Sequence, residues 1–101
     1  MTNTELDGLA ENASRAAALL KAMSNEKRLM ILCSLQEGEM SVSQLNEIVP
    51  LSQSALSQHL SSLRNANLVS IRRDSQTIYY RIQGDAATKV IMVLKNIYCP
   101  E

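Results

Sequence analysis

The stretch from Met40 to Leu68 constrains the fold most, because it contains two helix starts separated by a stop. Ser41 and Gln44 have the spacing of a capping box, in which each side chain accepts a hydrogen bond from the other residue's backbone N–H. Pro50 ends the first helix, because the residue before a proline is pushed out of helical geometry. Ser52 can then cap a second helix. The stretch therefore predicts two short helices joined by a tight turn.

The second predicted helix has an outer face that is polar but uncharged. Its inner face is apolar and includes Leu56, Leu60 and Leu63 at helical spacing. The outer face carries small hydroxyl and amide side chains: Gln53, Ser54, Ser57, Gln58 and Ser61. Such groups can donate to and accept from base edges and phosphates. This face favours nucleic-acid recognition, and the competing interpretation is an ordinary solvated surface.

The segment that follows, residues 69 to 82, alternates apolar and polar residues in two runs around Asp74 and Ser75. It predicts a β-hairpin with Arg72, Arg73 and Gln76 near its tip. A hairpin directly after a helix-turn-helix is typical of a winged helix, whose tip arginines can reach a phosphate backbone or minor groove. The alternative is that these charges discourage edge-to-edge aggregation of the strands.

Three further helices are predicted. Residues 5 to 22 form an amphipathic helix with an alanine-rich apolar stripe, a second helix runs from a cap at Ser24 or Asn25 to near Gly38, and the last begins after Gly84. The last helix is apolar around most of its circumference, more than one small domain can cover. We therefore expect a homodimer, although the first helix could instead pack inside one subunit.

Composition limits the remaining possibilities. With 101 residues, 46% of them apolar, residues 1 to 101 are expected to form one domain. No apolar run reaches the ~18 residues of a membrane span, and no secretory signal pattern is present, so a cytoplasmic protein without membrane contact is expected.

The net charge is zero, but residues 1 to 51 carry seven acidic and four basic side chains, and residues 52 to 101 carry three acidic and six basic. The second half is therefore positive by only three charges. Such a modest charge predicts that DNA affinity needs two subunits, and hence an operator with an imperfect inverted repeat.

From about residue 15 to residue 99 the chain resembles the ArsR/SmtB family of bacterial winged-helix repressors. The matching stretches are LLKAMSNEKRLMILCSL, SVSQLNEIVPLSQSALSQHLSSLRNANLVSIRRDSQTIYYRI and the closing helix. The resemblance implies a mainly α winged helix-turn-helix that binds double-stranded DNA, with five helices, a two-stranded β wing and a dimer formed through the first and last helices. It places five residues in the recognition helix: Gln53, Ser54, Ser57, Gln58 and His59.

Metal sensing, which is common in this family, is not expected. Residues 39 to 44, where one family motif places cysteines, contain none, and among the Asp, His and Glu ligands of another motif the last helix offers only Asp85. Soft-metal sites need three or four converging Cys or His ligands, and the chain has three such residues in total. We therefore expect no metal and no cofactor, with a metal-responsive or constitutive regulator as the alternative.

Cys33 and Cys99 resemble the cysteine pair of the family's reactive-sulfur and redox sensors. The resemblance implies that persulfides or oxidants link the two thiols through a disulfide or polysulfide bridge and that the modified dimer releases DNA. Cys99 is favoured as the attacking thiol because it is nearly terminal and expected to be accessible, and attack by Cys33 is the alternative. The competing interpretations are an inert buried Cys33 and a merely exposed Cys99. An enzyme is not expected, since the chain has no C-x-x-C and no phosphate loop. The alternative to a repressor is an activator that displaces a DNA silencer, which would bind DNA in the same way.

Overall fold

The computed structural model describes residues 3 to 99, with side chains from residue 8 onward. Its helices and strands, in chain order, are α1 (Asn3–Met23), α2 (Glu26–Ser34), β1 (Met40–Ser41), α3 (Val42–Ile48), α4 (Gln53–Asn65), β2 (Val69–Asp74), β3 (Thr77–Ile82) and α5 (Ala86–Tyr98), and a 3-10 turn, Leu35–Glu37, follows α2. The predicted five helices and hairpin are confirmed. In this part of the chain, none of the helices combines the length and the apolar character that crossing a bilayer requires.

The predicted helix starts are confirmed at the level of single hydrogen bonds. The Asn25 side chain accepts from the backbone N–H groups of two residues at the start of α2. At α3, Ser41 Oγ accepts from the Gln44 N–H at 3.1 Å while Gln44 Oε1 accepts from the Ser41 N–H at 2.8 Å, which completes the capping box. Ser52 Oγ accepts from the Ala55 N–H at 3.2 Å and starts α4. These local bonds fix where both helices of the helix-turn-helix begin.

The predicted two-stranded wing is confirmed, and a third, short strand that was not predicted joins its sheet. Strands β2 and β3 pair in antiparallel register from Val69 opposite Ile82 to Asp74 opposite Thr77. On the other side of β3, the two-residue strand β1 pairs Met40 with Tyr80, which gives a sheet of order β1-β3-β2. A strand of two residues is too short to show an alternating pattern, so its pairing could not be seen in the sequence. The third strand attaches the wing to the start of α3.

An aliphatic core holds these elements together. Its fully buried large side chains come from α2 to α5 and β2: Ile31, Leu32, Leu45, Val49, Leu56, Leu60, Leu63, Val69 and Ile91. The three leucines of α4 lie within this core, so their burial fixes the rotation of α4 about its own axis. Consequently the opposite, polar face of α4 points outward.

The apolar faces of α1 and α5 are not covered within one chain. Leu9 and Leu20 of α1 are 53% and 56% exposed, and the alanines between them are also exposed. On α5, Met92, Val93 and Ile97 are between 52% and 58% exposed. Only the end of α1 packs on the core, through Leu19, Ala22 and Met23. Most of the α1 stripe therefore does not pack inside one subunit.

Candidate DNA-binding and cysteine site

The outer face of α4 is polar and solvent-exposed, as predicted from the sequence. Gln53, Ser54, Ser57 and Gln58 are all exposed. Between the cap at Ser52 and the final turn this helix contains no Lys, Arg, Asp or Glu. The face therefore presents hydroxyl and amide groups that can both donate and accept hydrogen bonds.

His59, the remaining predicted residue of α4, is half-buried and bonded to a residue that the sequence analysis missed. Nε of Arg28, in the first turns of α2, donates to His59 Nδ1 at 3.1 Å. Nη1 of the same guanidinium donates to the backbone carbonyl of Ala22 in α1, also at 3.1 Å. Arg28 thus connects three helices. Because Arg28 and His59 are 31 positions apart, no local pattern indicates this contact.

The predicted wing residues lie in different environments. Arg73 is exposed beside the turn, and Gln76 is exposed within it. Arg72 instead reaches back across β3: its Nε donates to both carboxylate oxygens of Glu39, at 3.1 and 3.2 Å, and its guanidinium carbon lies 4.5 Å from the centre of the Tyr79 ring. The hydrogen bond from Arg72 lowers the pKa of Glu39 and raises that of Arg72. Glu39, which the sequence analysis did not single out, therefore holds one of the two predicted wing arginines.

Both cysteines are exposed free thiols in the single chain. Cys33 lies near the end of α2 and is exposed, so it is not the buried cysteine considered from the sequence. It opens into a shallow cavity whose other walls come from α2, the 3-10 turn, the loop before β1 and the end of α3: Ser34, Glu37, Gly38, Glu39, Met40 and Ile48. Cys99 terminates α5, and its backbone N–H donates to the Lys95 carbonyl at 2.7 Å. Helices α2 and α5, which carry the two cysteines, pack against each other.

Asp85, the one family-type metal ligand that the sequence offers at the last helix, forms an ion pair with Lys89 at 3.1 Å. Across the described part of the chain, no group of three or more His, Cys, Asp and Glu residues is placed to hold a metal ion.

A capped helix-turn-helix with an exposed polar face on its second helix, followed by a β wing, defines a winged helix-turn-helix protein. The family model for "Bacterial regulatory protein, arsR family" matches residues 25–70, which include α2, α3 and α4. Together with the relatives below, this match shows that the chain belongs to the ArsR family. It is a DNA-binding transcriptional regulator of that family.

Two curated relatives and one solved structure show how far the similarity extends. The chain is 58% identical to nodulation protein NolR of Rhizobium meliloti over 87% of this chain and 72% of the relative. It is 49% identical to the transcriptional regulator YgaV of Escherichia coli over 96% of this chain and 99% of that protein. The structure of reduced HlyU from Vibrio cholerae matches with a TM-score of 0.86 and 44% identity, over 91% of this chain and 97% of that one. The similarity therefore extends beyond the helix-turn-helix.

Proposed function

We propose that this regulator is a homodimeric repressor that releases operator DNA when Cys33 and Cys99 become linked in response to persulfides or oxidants. The observation that carries the proposal is the position of Cys33. Its thiol opens into a cavity that also contains Ile48 of α3 and Glu39, the partner of the wing residue Arg72. A chemical change at this thiol therefore occurs beside both DNA-binding elements.

In the DNA-bound state, the outer face of α4 lies in the major groove and reads base edges through Gln53, Ser54, Ser57 and Gln58. Side-chain amides can bond to adenine in a bidentate manner, and hydroxyls can bond to any base. Arg73 and Gln76, exposed at the end of the wing, contact the flanking phosphates or minor groove. Arg72 contributes only if its contact with Glu39 opens.

Two copies associate through the exposed apolar faces of α1 and α5. The alanines of α1 allow a partner helix to approach closely, and the large side chains of α5 supply apolar area to bury. A two-fold axis then relates the two α4 helices, so the operator is an imperfect inverted repeat with half-sites about one helical turn apart or somewhat more.

The sensing chemistry needs two thiols and one sulfur donor or oxidant. One cysteine thiolate attacks the outer sulfur of a low-molecular-weight persulfide, RSSH, which forms a protein persulfide and expels RSH. The second thiolate then attacks Sγ of the first cysteine, the inner sulfur of the protein persulfide, which closes a disulfide and expels hydrogen sulfide. Two protein thiols are oxidised by two electrons, and the outer sulfur of the persulfide is reduced to sulfide. Hydrogen peroxide would accept the same two electrons and yield two waters.

The bridge connects α2 to the end of α5, one of the two helices of the proposed dimer face. A strained bridge shifts α2 and the cavity wall at Ile48, and it thereby changes the spacing of the two recognition helices. A coupling of about 1 to 3 kcal/mol changes affinity roughly 5- to 150-fold, which is sufficient for a transcriptional switch.

Activation of transcription is the second candidate function, and one comparison supports it. Vibrio cholerae HlyU, 45% identical over 93% of this chain, is named a transcriptional activator. An activator that competes with a silencing protein would bind the same operator through the same residues. Repression and activation are distinguished by transcription from the target promoter in a deletion strain, which rises if the protein is a repressor and falls if it is an activator.

Fluorescence anisotropy of a duplex from the gene's own promoter tests the proposal. The reduced protein should bind tightly, lose affinity after treatment with glutathione persulfide and regain it with dithiothreitol. Cys33→Ser and Cys99→Ser variants should bind like the reduced protein before and after treatment. Loss of operator binding on persulfide treatment of a variant with both Cys33→Ser and Cys99→Ser would overturn the thiol switch. If no reduced protein binds the duplex, the assignment of this promoter as the operator is overturned.

A further inference from the structure

The contact between Arg28 and His59 leaves most of a guanidinium available beside the DNA-facing surface. Arginine carries five N–H donors. One is bonded to His59 Nδ1 and one to the Ala22 carbonyl, so three remain. Among residues 8 to 99, Arg28 has no carboxylate within ion-pair distance, in contrast to Arg72. Its positive charge is therefore not neutralised within this part of the chain.

Arg28 lines a second cavity, on the outer side of α4. Arg28 forms one wall, and the others are side chains of α4: Ser57, Gln58, His59, Ser61 and Ser62. The lining contains one full positive charge, three hydroxyls, an amide and an imidazole, but no carboxylate. Such a lining suits an anion with several oxygen atoms that each accept hydrogen bonds. Ser57 and Gln58 also belong to the proposed base-reading face, so the cavity lies at the edge of that face.

The same contact fixes the hydrogen-bonding state of His59. Because Nδ1 accepts from Arg28 Nε, it carries no proton, and the ring proton of the neutral imidazole lies on Nε2. His59 therefore offers a donor from Nε2. Arg28 and His59 present donors and no acceptors to a ligand that approaches this cavity.

We propose that Arg28 and His59 form a binding site for one backbone phosphate of the operator in each half-site. The remaining N–H groups of the guanidinium donate to the phosphate. The bond from Arg28 Nε to His59 Nδ1 also keeps the imidazole proton on Nε2, and Nε2–H donates to an oxygen of the same phosphate. The site rests on the DNA binding of the proposed function, but not on its thiol switch. It assigns Arg28, a residue of α2, to the DNA interface.

If Arg28 only held the three helices together and did not bind DNA, the affinity for the operator would depend differently on salt concentration. Each phosphate neutralised by a cation contributes about 0.9 to the slope of log affinity against log salt concentration. Loss of Arg28 from both subunits should therefore lower that slope by about 2. A structural tie reduces the population of competent protein instead, which lowers affinity at every salt concentration by a similar factor and leaves the slope unchanged.

The test uses reduced protein, promoter duplex and anisotropy titrations between 50 and 300 mM salt, over which the Debye length falls from roughly 14 Å to roughly 6 Å. Arg28→Gln should lower both affinity and slope, and Lys27→Gln, which removes a neighbouring cation of the same helix, should leave the slope nearly unchanged. Arg28→Lys should keep the slope while it weakens binding, because it retains the charge but loses the fork of donors. His59→Gln should weaken binding with little change in slope.

A wild-type slope for Arg28→Gln, or an equal fall in slope for Lys27→Gln, would overturn the phosphate site and leave the thiol switch untouched. Thermal unfolding followed by circular dichroism checks that each variant is folded. If Arg28→Gln does not fold, the Arg28→Lys and His59→Gln titrations decide: a reduced slope for Arg28→Lys or wild-type affinity for His59→Gln contradicts the proposal. Complete lack of binding by wild-type protein would overturn the site together with the promoter assignment.

Discussion

Glu39 binds Arg72 across the width of the wing, with both carboxylate oxygens within 3.2 Å of the arginine Nε. Arg72 lies on β2 and Glu39 just before β1, so the contact crosses the central strand β3 over the ring of Tyr79. Arg73 points to the opposite face of β2, because successive residues of a strand alternate. The two neighbouring arginines of the wing are therefore not equivalent.

This difference predicts unequal effects of the two arginines on DNA binding. Arg73→Ala should weaken operator binding by roughly tenfold and lower the salt slope by about 2 for a dimer, because it removes an exposed cation from each subunit. Arg72→Ala should change both much less, since Glu39 already neutralises its charge. Anisotropy titrations at several salt concentrations measure both quantities. Equal effects of the two substitutions would contradict the prediction.

Removal of the Glu39 carboxylate should have the opposite sign. Glu39→Gln frees Arg72 to reach a phosphate, so we expect affinity to rise a few-fold and the salt slope to increase by up to about 2. Glu37→Gln, a matched substitution at an exposed neighbouring position that also lines the Cys33 cavity, should not increase the slope. Weaker binding by Glu39→Gln would show that the ion pair supports the wing in its binding position.

The same ion pair has a defined pH dependence. The hydrogen bond from Arg72 lowers the pKa of Glu39 below its ordinary value of 4.5, so the carboxylate is charged throughout the neutral range. The stabilisation it contributes is complete above the unfolded-state pKa and is lost as the pH falls through the lowered folded-state pKa. Affinity measurements at pH 6 and pH 8 should therefore show the same ratio between wild type and Glu39→Gln. A ratio that changes across this range would mean that another group controls the wing.

The features that sequence reasoning predicted correctly are those encoded within a few residues. The caps at Asn25, Ser41 and Ser52 depend on a side chain and a backbone N–H two or three positions away, so their spacing is visible in the chain. The rotation of α4 likewise follows from its own leucine spacing. By contrast, the contacts from Arg28 to His59 and from Arg72 to Glu39 join residues 31 and 33 positions apart. Such contacts require the assembled fold and had no sequence signal.

The capping box of α3 gives a stability prediction. Ser41→Ala removes the acceptor for the Gln44 N–H and should lower the free energy of unfolding by about 1 kcal/mol, within the range of 0.5–2 found for such caps. Ser43 is exposed two residues after Ser41, in the first turn of α3, and Ser43→Ala should change the free energy of unfolding by less than about 0.5 kcal/mol. Urea denaturation followed by circular dichroism measures both. Equal stabilities for the two variants would mean that the cap bonds are replaced by water at no cost.

The exposed face of α5 predicts a dimer that a single charge can break. Val93→Glu or Ile97→Glu places a carboxylate in the middle of apolar area that the proposed interface removes from water, and an unpaired buried charge is strongly disfavoured. Both variants should sediment as monomers at micromolar concentration while wild type sediments as a dimer. Operator affinity should fall by at least about tenfold, because each half-site then binds independently.

Lys95→Glu is the matched control for that substitution. Lys95 is exposed on α5, but its position on the helical wheel lies away from Val93 and Ile97, so this charge change should leave the dimer intact. Thermal unfolding of each variant separates loss of association from loss of fold. If wild type sediments as a monomer, or if Val93→Glu still sediments as a dimer, then α5 does not form the interface, and a bridge to Cys99 would act on the recognition helices without passing through the dimer contact.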